Sequence, residues 1–158
     1  MNKWIKLIIC ILICQLAGVI GLLFTISSIT SWYVNLNKPF FTPPDWLFGP
    51  VWLTIYTLMG ISLYLVWNEK SKSKIKIPLT LFFIQLVLNA LWSVMFFGFQ
   101  LIFYGLIEII IMWIFIALTM FSFYRISRKA ALILTPYIAW VTIATLLNYF
   151  VWVLNNLR

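Results

Sequence analysis

An all-α fold, an integral membrane bundle of five transmembrane helices, is predicted by three observations on this chain. Hydrophobic residues make up 65% of it and charged residues 9%, with a mean hydropathy of +1.08, whereas a water-soluble globule carries about 25% charged residues. The apolar residues gather into five runs of roughly 20, enough to cross ~30 Å of hydrocarbon at about 1.5 Å per helical residue. The cations sit in the short breaks between those runs. A chain of 158 residues suits a single domain, residues 1–158, with no room for a soluble domain besides.

The first span is expected over about 7–26, behind Lys3 and Lys6. Its apolar run exceeds the h-region of a cleaved leader, so it reads as a retained helix. Ala17, Gly21 and Thr25 recur every four residues, a spacing that lets another helix approach closely. Cys10 and Cys14 lie one helical turn apart within the run, with no further ligand pair near them, and read as packing residues.

A polar, proline-studded loop, 27–44, leads into a second helix over about 45–67. Asp45 suits its first turn, where a negative charge offsets the helix dipole, and Pro50 comes early enough to cost little of the hydrogen-bond ladder. Trp46 and Trp67 fall where the two membrane interfaces should lie. A basic turn from Glu69 to Lys76, suited to contact with lipid headgroups, separates this helix from a third over about 77–97. Gln85, Asn89 and Trp92 share one face of the third helix. Amides are costly in hydrocarbon without partners, so that face must point into the bundle, as interhelical contacts, as ligand contacts, or as both.

An uncharged turn at Gly98, Phe99 and Gln100 opens a fourth helix over about 101–124, which holds Glu108 within the membrane. Its carboxyl reads either as a structural hydrogen-bonding group or as a ligand or proton site. The last helix is expected over about 130–154, with a kink at Pro136 and a stripe of Tyr137, Trp140, Ala144, Leu147 and Val151 along one face. Ala144, small among large neighbours, leaves space there.

Counting cations assigns the orientation. Lys3, Lys6, Lys70, Lys72, Lys74, Lys76, Arg125, Arg128 and Lys129 share one side, and Lys38 and Arg158 the other, nine against two. The positive-inside rule then makes the N-terminus cytoplasmic and puts the loop 27–44 and the C-terminus on the opposite side. A net charge of +8 also suits a nucleic-acid binder, but cations dispersed as topology signals predict no nucleic-acid partner. The absence of histidine, with only three acidic residues, Asp45, Glu69 and Glu108, removes most acid–base and metal chemistry. No metal and no cofactor are expected.

What remains is aromatic. Trp52 and Tyr56 on helix 2, Gln85, Asn89 and Trp92 on helix 3, and Tyr137 and Trp140 on helix 5 are available to a central cavity. The loop offers Trp32, Tyr33 and Trp46 as a lid, with Lys38 at the entrance as an attraction for an anionic group of a ligand. Apolar walls, aromatic planes and a few neutral polar groups describe a site for a large, flat, hydrophobic molecule rather than an ion pore.

Several ordered motifs carry a resemblance. Trp32-Tyr33, Lys38-Pro39, Pro43-Pro44, Trp46, Phe48-Gly49-Pro50-Val51-Trp52, Tyr56, Met59-Gly60 and Leu65-Val66-Trp67 resemble the signature of the translocator protein family. Its members are also called TspO/MBR, tryptophan-rich sensory protein or peripheral benzodiazepine receptor. Gln85, Asn89, Trp92 and Phe96-Phe97-Gly98 match its third helix, and Pro136-Tyr137, Trp140, Ala144-Thr145, Leu147-Asn148-Tyr149 and Trp152 its fifth. The resemblance implies a five-helix bundle in the lipid membrane, often a homodimer. It further implies binding of tetrapyrroles such as protoporphyrin IX, of isoquinoline or benzodiazepine-type drugs and, in some members, of sterols. By position, Trp52, Asn89, Trp140 and Ala144 would contact the ligand, with Trp32 and Trp46 near the lid. The sterol pattern needs a Lys or Arg within about five residues of its tyrosine, and none follows Tyr149 before Arg158, which weakens the case for a sterol.

Three functions fit these residues. The first is a receptor, sensor or carrier for porphyrin-like ligands. The second is an enzyme that degrades porphyrin in light, an activity of some bacterial members for which Trp52 and Trp140 would be the catalytic aromatics. The third is a ligand-free structural membrane protein whose aromatics are core.

Overall fold

A computed structural model of the chain describes residues 2–69 and 74–156. Lys70, Lys72 and Arg158, which enter the cation count, lie outside the described residues. Five helices are long and apolar enough to cross a membrane. α1 runs Lys3–Ile29, α2 Asp45–Trp67, α3 Lys76–Ser93, α4 Ile102–Tyr124, α5 Arg128–Ile133 and α6 Thr135–Asn156, with α5 and α6 together forming the fifth span.

α2 has the bounds its sequence predicts, and Asp45 opens its first turn. α1 is longer than the expected 7–26 at both ends. Hydropathy marks the hydrocarbon stretch only, whereas the helix continues wherever its end groups are met. The Asn2 side chain caps the Trp4 amide at 3.2 Å, the Lys6 ammonium sits 5.7 Å from the Trp67 ring centroid, and the Ser28 hydroxyl donates to the Phe97 carbonyl at 2.6 Å. That last carbonyl belongs to a π-helical turn, Val94–Gly98, which closes the third span. The following reversal uses Gln100 in the left-handed region (φ 57°), a conformation uncommon for a residue with a Cβ.

The expected kink at Pro136 is a complete break. α5 stops at Ile133, Leu134 forms a turn, and α6 restarts at Thr135. A proline second in the new helix has no amide hydrogen to continue the ladder of the old one. Ser127 starts α5 by accepting the Ala130 amide at 3.3 Å.

Lipid is as apolar as leucine, so these helices are held by close contact and hydrogen bonds rather than by exclusion of water. Glycine sets the closest approach. A Cβ on Gly60 of α2 would lie 2.5 Å from the Ile11 Cα of α1, and one on Gly21 would lie 2.9 Å from the Ser93 hydroxyl of α3. Elsewhere Phe82 of α3 stacks on Phe123 of α4 with centroids 5.7 Å apart, and Trp113 of α4 donates to Thr142 of α6 at 2.8 Å. The Ser62 hydroxyl bonds the Ala130 carbonyl at 2.8 Å and fastens α5 to α2.

Replacing Gly60 by valine should therefore part α1 from α2 and cost about 1–3 kcal/mol. Thermal unfolding in detergent should show a clear fall in midpoint, and an unchanged midpoint would contradict the packing described.

Candidate functional site

A cavity of about 550 Å³ lies between α1, α2 and α3. α2 contributes aromatic planes: Trp46, Phe48, Trp52 and Tyr56, with Trp52 stacked on Tyr56 at 5.5 Å and 27°. α3 adds Trp92 and Ser93 and the π turn adds Phe97, while α1 gives Gly18, Gly21, Leu22 and Thr25. Val19, Ile26 and Ile29 complete the α1 side. Gln15 joins α1 to α2 at one edge, donating to the Leu53 carbonyl and to Thr57, both at 3.1 Å.

Behind the wall runs a chain of buried polar groups. The Tyr56 hydroxyl donates to Asn89 Oδ1, Asn89 Nδ2 donates to the Tyr137 hydroxyl at 3.0 Å, and that hydroxyl donates to Gln85 Oε1 at 2.7 Å. One directional chain thus ties α2, α3 and α6 together and orients Tyr56 at the cavity. Gln85 Nε2, at its far end, is buried with no hydrogen-bond partner among the described residues. A second tie starts at another wall residue, with the Trp92 indole donating to Asn148 Oδ1 at 3.1 Å and Asn148 Nδ2 donating to the Ile102 carbonyl at 2.9 Å.

The loop between α1 and α2 is fastened at several points. Trp32 and Tyr33 meet Phe96 and Phe97 of the π turn, at 5.5 Å for Trp32–Phe96 and 5.6 Å for Tyr33–Phe97. Burial, with a smaller contribution from the charge of Asp45, pushes the Tyr33 phenol up to about 12. Asn37 and Asn155 pair reciprocally. The Asn37 amide donates to Asn155 Oδ1 at 3.1 Å, and Asn155 Nδ2 returns to the Asn37 carbonyl at 3.0 Å. Phe41 packs edge-on against Phe150 at 5.6 Å.

Of the residues singled out in the sequence, Trp46, Trp52, Tyr56 and Trp92 stand on the cavity wall. Gln85, Asn89 and Tyr137 form the chain behind it. Trp32 packs on Phe96, off the wall. Trp140 meets the wall residue Phe48 at 5.8 Å, its indole nitrogen buried without a partner among the described residues, and Ala144 is half-buried on α6. Lys38 is not among the residues that line the cavity. Its ammonium sits 4.4 Å from the Tyr33 ring centroid and donates to the Tyr33 carbonyl at 3.1 Å.

The cavity is enclosed by α1, α2 and the end of the third span, whereas the sequence reading draws its walls from helices 2, 3 and 5. Gln15, Gly18, Gly21, Thr25 and Ser93 were not anticipated. The small-residue pattern on α1 was the available signal, and it reads equally as close packing. Glu108 is 5% exposed, and neither carboxyl oxygen has a hydrogen-bond partner among the described residues.

Comparison with known proteins bears on what such a site is for. The TspO/MBR family model matches residues 10–153. The tryptophan-rich protein TspO of Archaeoglobus fulgidus is 44% identical over 151 residues, covering 96% of this chain and 97% of its own. That of Chlorobaculum tepidum is 43% identical over 157 residues, covering 98% and 99%. The human translocator protein is 42% identical over 123 residues, covering 77% and 73%.

Two substitutions test the buried polar groups. Tyr137→Phe strands both Asn89 Nδ2 and Gln85 Oε1 and should cost about 1–2 kcal/mol, read as a lower unfolding midpoint in detergent. Glu108→Met, which replaces an unpartnered carboxyl by an apolar chain of similar length, should raise the midpoint by about 1 kcal/mol in stability or more. A fall would mean that the carboxyl has a partner.

Proposed function

We propose a ligand-binding function for this chain, which belongs to the TspO/MBR family of multi-pass membrane proteins. It is a membrane receptor, sensor or carrier that takes a flat, largely apolar molecule, a porphyrin-like tetrapyrrole among them, into the cavity between α1, α2 and α3. The observation that carries this reading is the wall itself. Trp46, Trp52, Tyr56 and Trp92 surround a space of about 550 Å³, within the roughly 300–1,000 Å³ of small-molecule sites.

Binding on such a wall draws on stacking and dispersion over wide ring faces. The Tyr56 hydroxyl is committed to Asn89, so Tyr56 offers a ligand its ring face. Ser93 adds a neutral polar point. Fastening of the loop by Asn37 and Asn155 favours a preformed site, which lowers the ordering cost of binding. The cation count puts this loop on the non-cytoplasmic side. A homodimer belongs to the same proposal, as the family resemblance implies. Light-driven degradation by a Trp52 and Trp140 pair gains no support from this arrangement, because Trp140 contacts the wall residue Phe48 rather than the cavity.

Titrating the purified protein with protoporphyrin IX should quench tryptophan fluorescence saturably. Trp52→Ala should weaken the affinity about tenfold or more, while Phe83→Ala, on the outer face of α3, should leave it unchanged. Unsaturable quenching, or equal losses in the two variants, would refute the site.

A further inference from the structure

Between Asn37, which Asn155 holds, and the start of α2, the loop makes a tight turn at Pro39–Thr42. The Thr42 amide and hydroxyl both donate to the Pro39 carbonyl, at 3.1 and 2.6 Å, and proline locks one backbone angle where the turn begins. The two residues enclosed are phenylalanines with opposite placements. Phe41 lies edge-on against Phe150 of α6, whereas Phe40 is 100% exposed and touches the Phe41 ring edge-on at 5.6 Å. With Asn37 clasped on one side and Phe41 seated on the other, the turn cannot bring the Phe40 ring inward without giving up those contacts. Its exposure is built into the loop.

The rings continue from the loop onto the spans. Phe150 meets Tyr149 at 5.4 Å, Tyr149 meets Trp152 at 6.3 Å, and Trp152 meets Phe103 of α4 at 5.2 Å. Phe103, Tyr149 and Phe150 are exposed on membrane-spanning helices, at the end of the bundle that carries the loop. Tyrosine and tryptophan, with an apolar body and a polar tip, suit the boundary between hydrocarbon and headgroups. Phe40 and Phe41 extend this strip beyond the helices, and the neighbouring cation, Lys38, is held at Tyr33.

We infer that Phe40 is a membrane anchor: the Pro39–Thr42 turn sets its ring into the interfacial layer of the bilayer beside α6, so that lipid holds the loop on one side and Asn155 on the other. Lipid is the occupant because the strip runs ring by ring onto helix faces that the bilayer already covers. One phenyl ring on a four-residue turn also falls far short of the about 800 Å² per partner of a stable protein interface. The order of the loop then depends on the bilayer as well as on the bundle.

The wild-type chain in phosphatidylcholine nanodiscs tests this with a trace of phosphatidylcholine bearing a diazirine, either near the glycerol end of one acyl chain or at its methyl end. After irradiation, mass spectrometry should find adducts of the shallow probe within residues 39–42 as well as 149–152, and none of the deep probe within 39–42. Hydrogen exchange in the same discs gives a second reading. Phe40→Ser should speed exchange of the amides of residues 37–42 about tenfold and leave those of α2 and α3 unchanged, which reports an intact fold. Phe40→Trp, which keeps an interfacial ring, should restore the slow rate. Adducts at 149–152 without any at 39–42, or exchange indifferent to Phe40→Ser, would overturn the anchor. Loop protection present in discs holding two chains and lost in discs holding one would assign the turn to a second copy and overturn it as well.

Discussion

Within hydrocarbon, a buried amide or hydroxyl must find its partner on a neighbouring helix, because lipid offers none. The chain from Tyr56 through Asn89 and Tyr137 to Gln85 meets that constraint across α2, α3 and α6. Each hydroxyl or amide donates onward, so the direction of every bond in the chain is fixed by the next. The outcome is a rigid polar spine in the middle of an otherwise apolar bundle. The tie from Trp92 through Asn148 to the Ile102 carbonyl does the same for α3, α4 and α6. Two of the rings that face the cavity, Tyr56 and Trp92, are thus the ends of polar connections whose other members are buried behind them.

The cavity depends on the opposite device. Where the spine joins helices by specific bonds, α1 meets its neighbours closely at its glycines and stands off from them elsewhere along the cavity. Gly18 and Gly21 bring α1 close to Tyr56 and Ser93, and the gap opens between those approaches. The loop between α1 and α2 is fastened at one end of the bundle by packing Trp32 and Tyr33 on a π turn and by pairing Asn37 with Asn155. α2 and α3 carry both the spine and the cavity wall, so a side chain added at Gly18 on the α1 face would press on Tyr56, where the spine begins.

Much of the fold was legible because hydropathy and length are what a bilayer demands. The bounds of α2 followed from Pro44 and Asp45 at one end and Trp67 at the other. The ends of α1 were not legible, since a helix outlasts the hydrocarbon when serines and capping groups meet its termini. The π turn at Val94–Gly98 was hidden too, because the Ser28 hydroxyl that bonds the Phe97 carbonyl is 69 residues away in the chain. For the site, the aromatic and amide residues of α2 and α3 announced themselves by chemistry. The share of α1 did not, for a glycine reads alike as close contact or as room. The contacts of Lys38 were not legible, because a sequence shows a charge in a loop but not the ring and carbonyl that hold it.

The central claim is that the wall between α1, α2 and α3 receives a flat apolar ligand. It is tested most directly by irradiating the protein in bilayers with a diazirine-bearing porphyrin and mapping the adducts by mass spectrometry. The account predicts adducts within residues 18–29 of α1 and 46–56 of α2, suppressed by excess protoporphyrin dimethyl ester. Adducts confined to residues 137–151 of α6 would contradict it.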